Sequence, residues 1–212
     1  MPIRRGFVIA LLGAESTGKS TLALALCDAL AREGHDAVVV PEYLREFCDH
    51  HGRTPHRDEQ AGIAAEQARR IEAAAREHSV VIADTTALMI AVYSDQVFGD
   101  TALYAAAEAA QAHVDLTLLT ALDLPWQADG LQRDGPHVRE PVDAKVRAAL
   151  QRAGVPYGVV FGTGAARLAA AWASVQRALA PPAEAAGAVR WHWHCDRCGD
   201  AACERRPLLP TG

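Results

Sequence analysis

"LLGAESTGKSTLALAL", Leu11 to Leu26, passes from apolar residues through a small polar loop into an Ala/Leu-rich run. Between Gly13 and Ser20 it fits G-x-x-x-x-G-K-[ST], with a strand-like run entering and a helix-forming run leaving. Gly13 and Gly18 permit backbone conformations in which successive amides turn toward phosphate oxygens, and the helix that follows adds its positive N-terminal end. Lys19 can then bridge the outer phosphates, and the Ser20 hydroxyl can ligate magnesium. The segment Gly13, Ala14, Glu15, Ser16, Thr17, Gly18, Lys19, Ser20 and Thr21 therefore reads as the seat of a nucleoside triphosphate, ATP with magnesium. A glycine turn carrying a chance lysine is the bland alternative, and it leaves the flanking strand and helix unexplained.

Working outward, strand-like runs alternate with longer helical ones: "FVIALLG", "AVVVPE", "SVVIAD", "DLTLLTAL" and "PYGVVFG", separated by segments such as "RDEQAGIAAEQARRIEAAAREH". That alternation predicts an α/β fold of the P-loop NTPase kind, a parallel sheet of about five strands flanked by helices. Ligands of such sheets bind beyond the carboxyl ends of the strands, so the residues ending each run are where chemistry is expected. The stretch Thr101 to Ala112 is expected to be helical. At 212 residues, half of them apolar, the chain can bury a real core. The expected organisation is a domain over 1–179, a linker over 180–190 around "APPAEAAGA", and a Cys/His-rich tail over 191–212, too short for its own core.

The formal net charge of -5 gives no global attraction to nucleic acid or to an anionic membrane, so any basic surface is local. "MPIRRGFVIALLG" mimics a signal peptide, but the apolar run is short and leads into the glycine loop, not a cleavage site. It reads as a buried first strand. With no apolar segment of spanning length and with Cys27 and Cys48 far apart, a reducing cytoplasm is the expected compartment. A homo-oligomer is left open.

Phosphoryl transfer needs a metal-supporting carboxylate and a group that orients the acceptor hydroxyl. Asp84 ends "SVVIAD" and suits a Walker-B-type acid holding magnesium with Ser20, or a base near the transferred phosphate; it also suits the N-cap of the helix that follows. Glu42 ends "AVVVPE", with Tyr43, Arg45 and Glu46 close behind; a solvated loop seldom needs Pro, Tyr, Arg and two acids so near a strand end, and that loop is the bland alternative. "LPWQADGLQRDGPHVREPVDAKVRAAL" suits a lid, with Arg133 and Arg139 brought over the phosphates to neutralise charge and exclude water. Trp126 in that segment can stack on a planar ligand or plug the core.

In "WHWHCDRCGDAACE", Cys195, Cys198 and Cys203 form C-x2-C-x4-C, with His192 and His194 just upstream. Three thiols and His192 can make a tetrahedral zinc site. A disordered tail, an iron-sulfur or redox site, and a nucleic-acid contact using Trp191, Trp193, Arg205 and Arg206 are the alternatives.

The order of "GAESTGKST", "PEYLREF", "EQARRIEAA", "VIADTT", "PWQADGLQR" and "AGVPYGVV" resembles the ribosylnicotinamide kinase domain of NadR-type proteins, a P-loop kinase group within the set labelled AAA-like ATPases. The resemblance covers most of residues 3–179. It implies ATP-dependent phosphorylation of nicotinamide riboside to nicotinamide mononucleotide, a step toward NAD. By position it implies phosphate binding by Gly13 to Thr21, magnesium or acceptor activation at Asp84, and an acceptor pocket bordered by Glu42, Tyr43 and Arg45. Multifunctional NadR proteins carry a nucleotidyltransferase domain before the kinase, whereas this chain begins at the kinase's first strand, so adenylyl transfer is not expected. The cysteine tail is not a feature of that kinase domain.

Overall fold

The computed structural model describes residues 5–127 and 135–180. The chain divides into two compact units, Met1–Ala178 and Leu179–Gly212, and the first holds the sheet. Its strands are β1 (Phe7–Leu12), β2 (Ala37–Val40), β3 (Val80–Asp84), β4 (Leu116–Thr120) and β5 (Tyr157–Val160). They form one sheet in the order β2-β3-β1-β4-β5, with every neighbouring pair parallel. The helices are α1 (Lys19–Arg32), α2 (Tyr43–His51), α3 (Gln60–Glu77), α4 (Ala87–Phe98), α5 (Tyr104–Gln111), α6 (Arg139–Arg152) and α7 (Gly164–Leu179). The helix expected over Thr101 to Ala112 is shorter, because a turn occupies its first residues.

The strands are continuous apolar runs because both faces of the sheet are covered. Val8, Ala10 and Leu12 of β1 alternate with Ile9 and Leu11, and all five are buried. The first set joins Val81 and Leu119 in clusters with Ile71 and Ala75 of α3, with α4, and with Val142, Val146 and Leu150 of α6. On the opposite face β5 approaches α7, where a side chain at Gly158 would meet Leu118 and Ser174.

The strand order determines where a ligand can enter. The chain leaves β1 toward β2 on one side and leaves β4 toward β5 on the other, so the loops after β1 and β4 diverge and open a crevice at their carboxyl ends. The glycine loop follows β1, and the segment from Ala121 follows β4.

Candidate active site

The glycine loop wraps around a small set of hydroxyls. Thr120, the last residue of β4, donates through Oγ1 to the Leu12 carbonyl (3.0 Å) and reaches Thr17 Oγ1 (2.7 Å), which donates to the Ala14 carbonyl (2.8 Å). Gly13, with φ 145°, packs so close to this pair that a Cβ there would collide with Thr120 Oγ1. Gly18 takes φ 75° as the residue capping α1, and no side chain caps the helix. Gly18 and the first residues of α1, Lys19, Ser20 and Thr21, line the crevice, and an uncapped helix start of this kind can bind an anion. Lys19 begins α1, is 9% exposed, and places Nζ 2.9 Å from both the Gly13 and Ala14 carbonyl oxygens.

Asp84 ends β3 directly beside β1, paired in register with Leu11. It is 4% exposed, and its Oδ1 has no hydrogen-bond partner among the described residues. A buried carboxylate oxygen in that condition is unfavourable unless something else, a metal or a hydroxyl, binds there. The N-cap alternative is not the one taken, since Thr86 caps α4 by accepting from the Leu88 amide. Between them Thr85 holds φ 75°, an uncommon conformation for a β-branched residue that costs about 1–3 kcal/mol. The strain lets the chain turn sharply so that Asp84 stays at the strand end while α4 starts at once.

Two cavities meet at the glycine loop. One, of about 640 Å³, runs along Ser16 to Thr21 and is closed by Leu124, Pro125 and Gln127 from the segment after β4, with Arg45 at its edge. Ser16 ties the two loops together, donating to the Gln127 carbonyl at 2.6 Å. The second, of about 360 Å³, extends from Glu15, Ser16 and Lys19 past Glu42 and Arg45 to Tyr93, Val97 and Phe98. Lys19 and Ser16 line both.

The wall of the second cavity is braced from outside. Gln67 of α3 is fully buried, accepts from the Tyr43 amide (2.7 Å), and donates to the Pro41 and Thr85 carbonyls (3.3 and 3.4 Å). It thereby fastens the end of β2 to the end of β3. Arg53 and Glu59 form a two-pronged pair at 2.7 Å. The Arg53 guanidinium and then the His56 amide hold the Glu59 carboxyl down from its ordinary value to about 2.

The residues predicted from sequence fall into three groups. Glu42 and Arg45 line the cavities and lie 3.8 Å apart. Tyr43 is not among the lining residues; it packs against the core with the Arg70 guanidinium 4.3 Å over its ring. Trp126 is half-buried and lines neither cavity, although its neighbours Pro125 and Gln127 do. Arg139 is not a solvated loop residue: it starts α6, is buried, and donates to the Leu124 carbonyl at 2.9 Å. Arg133 and the tail residues His192, Cys195, Cys198 and Cys203 lie outside the described residues. Among the described residues no cluster of three or more His, Cys, Asp or Glu side chains could hold a metal, and no helix is long and apolar enough to cross a membrane.

Sequence reasoning missed Thr120, Gln67 and Arg167. Arg167 of α7 is 4% exposed and donates to the Thr17 carbonyl (2.8 Å), the Gly162 carbonyl (2.8 Å) and Asp123 (2.8 Å). Burial opposes ionisation of Asp123, but the hydrogen bonds from Arg167 and the Gly162 amide outweigh it and hold that carboxyl below its usual range.

Comparison with known proteins agrees with this architecture. A family described as "AAA domain" matches residues 8–167. A crystal structure of NadR protein in complex with NR superposes with a TM-score of 0.65 at 20% identity, covering 81% of this chain and 49% of that one. A second NadR structure, with NAD and AMP-PNP, gives 0.63 at 20% identity over 84% and 51%. Thymidylate kinase from Ehrlichia chaffeensis gives 0.58 at 12% identity over 82% and 98%. At such identities the likeness establishes the fold, and the chain spans about half the length of the NadR chains. No curated protein matches the sequence.

Proposed function

The chain belongs to the AAA domain family, and from that premise we propose that it is an ATP-dependent small-molecule kinase that phosphorylates nicotinamide riboside to nicotinamide mononucleotide. The observation that carries the reading is the junction of two cavities at Lys19: one follows the glycine loop, and the other is walled by Glu42, Arg45, Tyr93 and Phe98. Hydrolysis needs only the first. Transfer needs a second compartment that delivers an acceptor to the same phosphate. Glu15 and Glu42 supply negative charge and Tyr93 and Phe98 supply ring faces, a suitable surround for a nucleoside whose base is a cationic ring.

In this reading the amides of Gly13 to Thr21 bind the phosphates, and Lys19 exchanges its carbonyl contacts for the outer phosphate oxygens. Asp84 and the Ser20 hydroxyl would hold magnesium, which neutralises charge on the phosphates. Alternatively, Asp84 would take the proton of the acceptor hydroxyl as its oxygen bonds to the terminal phosphorus and the bond to ADP breaks. Arg139 holds the Leu124 segment over the phosphate cavity, and Arg133 joins it as a lid arginine.

The test is an acceptor screen read by ADP release and mass spectrometry. Nicotinamide riboside is expected to raise ADP production well above background and to appear as its monophosphate. Transfer to a different nucleoside would reassign the acceptor, and ADP release indifferent to every nucleoside would favour a regulatory ATPase.

A further inference from the structure

The glycine loop carries two neighbouring hydroxyls that turn opposite ways. Thr17 is buried and bonds inward, to the Ala14 carbonyl and to Thr120. Ser16 is half-buried, lines both cavities, and bonds outward to the segment after β4. Its Oγ donates to the Gln127 carbonyl at 2.6 Å and accepts from the Gln127 amide at 3.1 Å. One side chain thus engages both backbone groups of Gln127, a closed ring of two bonds that fixes where that residue stands.

Leu124, at the other end of the same short segment, is held from two sides. Arg139 of α6 donates to its carbonyl at 2.9 Å, and its side chain lies against Gly18, where an added Cβ would stand 3.0 Å from Leu124 Cδ1. Between these anchors Pro125, whose ring restricts its φ, lines the cavity along the glycine loop. Leu124 to Gln127 therefore forms a strap across that cavity, made fast at Leu124 by α6 and at Gln127 by Ser16. The backbone at Ser16 makes a contrary demand. Its φ of 54° lies in the left-handed region that glycine enters without penalty and few other residues adopt. Glycine would suit the turn better, but it could not reach Gln127.

We propose that Ser16 is a positioning residue: by fastening Gln127 at the seam of the two cavities, it keeps the strap closed over a bound triphosphate, slows nucleotide release and keeps water from the terminal phosphate. Exclusion of water is what separates transfer from hydrolysis. The inference rests on the glycine-loop cavity holding the triphosphate, and it is independent of which acceptor enters the second cavity.

The experiment compares the full chain with Ser16→Gly, which removes the hydroxyl and eases the backbone. Three quantities are read: dissociation of a fluorescent non-hydrolysable ATP analogue by stopped flow, ADP release without acceptor, and hydrogen exchange over residues 121–127 by mass spectrometry with the analogue bound. Losing two ordinary hydrogen bonds corresponds to about a tenfold rise in the population of the open strap. Ser16→Gly is therefore expected to release the analogue and to hydrolyse ATP faster by about that factor, to lose the protection that wild type shows at Gln127, and to keep a thermal midpoint close to wild type. The sign of the hydrolysis change is decisive, because removing a hydroxyl that merely touched phosphate would slow hydrolysis. Unchanged or slower hydrolysis, an unchanged dissociation rate, or an unprotected Gln127 amide in wild type overturns the proposal and leaves the kinase reading standing; the last of these needs no variant and decides the matter if Ser16→Gly fails to fold. Faster release and hydrolysis in Ser16→Gly, with no acceptor phosphorylated by wild type, overturns the kinase reading and supports the role of Ser16. A wild type that binds no nucleotide overturns both.

Discussion

Lys19 and Arg167 are cations that touch the same loop for different reasons. Lys19 Nζ contacts two loop carbonyls at 2.9 Å and sits at the wall shared by both cavities. Arg167 reaches the Thr17 carbonyl from behind and is bonded at once to the segments after β4 and β5 through Asp123 and Gly162. Lys19→Ala removes a charge from the cavity side of the loop, where the loop carbonyls can be solvated. It should cost at least about a hundredfold in turnover, with a urea midpoint close to wild type. Arg167→Ala leaves the Asp123 carboxylate and buried carbonyls without their partner, and should cost about 3 kcal/mol of stability. Denaturant unfolding of the two variants beside an ADP-release assay separates the roles. Near-normal turnover by folded Lys19→Ala would sink the phosphate-loop assignment, and a wild-type midpoint for Arg167→Ala would show that the loop is held elsewhere.

At the scale of elements, the wall between α2 and α3 depends on ionised carboxylates. Glu59 and Glu66 are each held down from 4.5 to about 2, Glu59 by Arg53 and Glu66 by Arg69 and Arg70. A carboxyl whose pKa is lower in the folded chain contributes stability above the unfolded value, and that contribution is lost as pH falls through the folded one. Stability should therefore decline between about pH 4.5 and pH 2. Glu59→Gln should be less stable at neutral pH and should show a shallower acid decline, with Glu66 supplying the slope that remains. Urea midpoints measured across that window check both statements, and identical acid profiles would mean that the Arg53 pair contributes nothing. The sequence made these elements easy to read and their cross-links hard to read. Valine- and leucine-rich runs marked all five strands, and the glycine-lysine loop marked the place where the two cavities meet, because burial on both faces and left-handed backbone each demand particular residues locally. Gln67 and Arg167 left no such mark. A glutamine or arginine in an alanine-rich helix reads as a solvated face, and only the packing of distant segments buries it. Tyr43 misled in the opposite sense: beside Glu42 it suggested the pocket, but α2 turns it toward Arg70 and the core.

For the whole molecule, the strand order brings residues far apart in sequence to one end of the sheet: Glu15 after β1, Glu42 after β2, Asp84 at the end of β3, and Leu124 after β4. Each sits at a strand's carboxyl end, so the site is completed by topology and not by any single segment. Every described residue lining the two cavities lies between Glu15 and Gln127, while α6 and α7 brace the site through Arg139 and Arg167. The sheet, its covering helices and both cavities are thus contained before residue 181. A chain ending at Ala180 should therefore unfold cooperatively and bind an ATP analogue with a Kd within about threefold of the full chain, since it keeps every one of these contacts. The zinc reading of Cys195, Cys198, Cys203 and His192 makes the complementary statement: about one zinc ion per full-length chain, and none in the shortened one. Metal analysis of untagged protein, set beside nucleotide titration of both lengths, tests the two together. Zinc retained by the shortened chain would place the metal in the first unit, absence of zinc from the full chain would remove the tail site, and loss of nucleotide binding on truncation would show that the first unit depends on residues beyond α7.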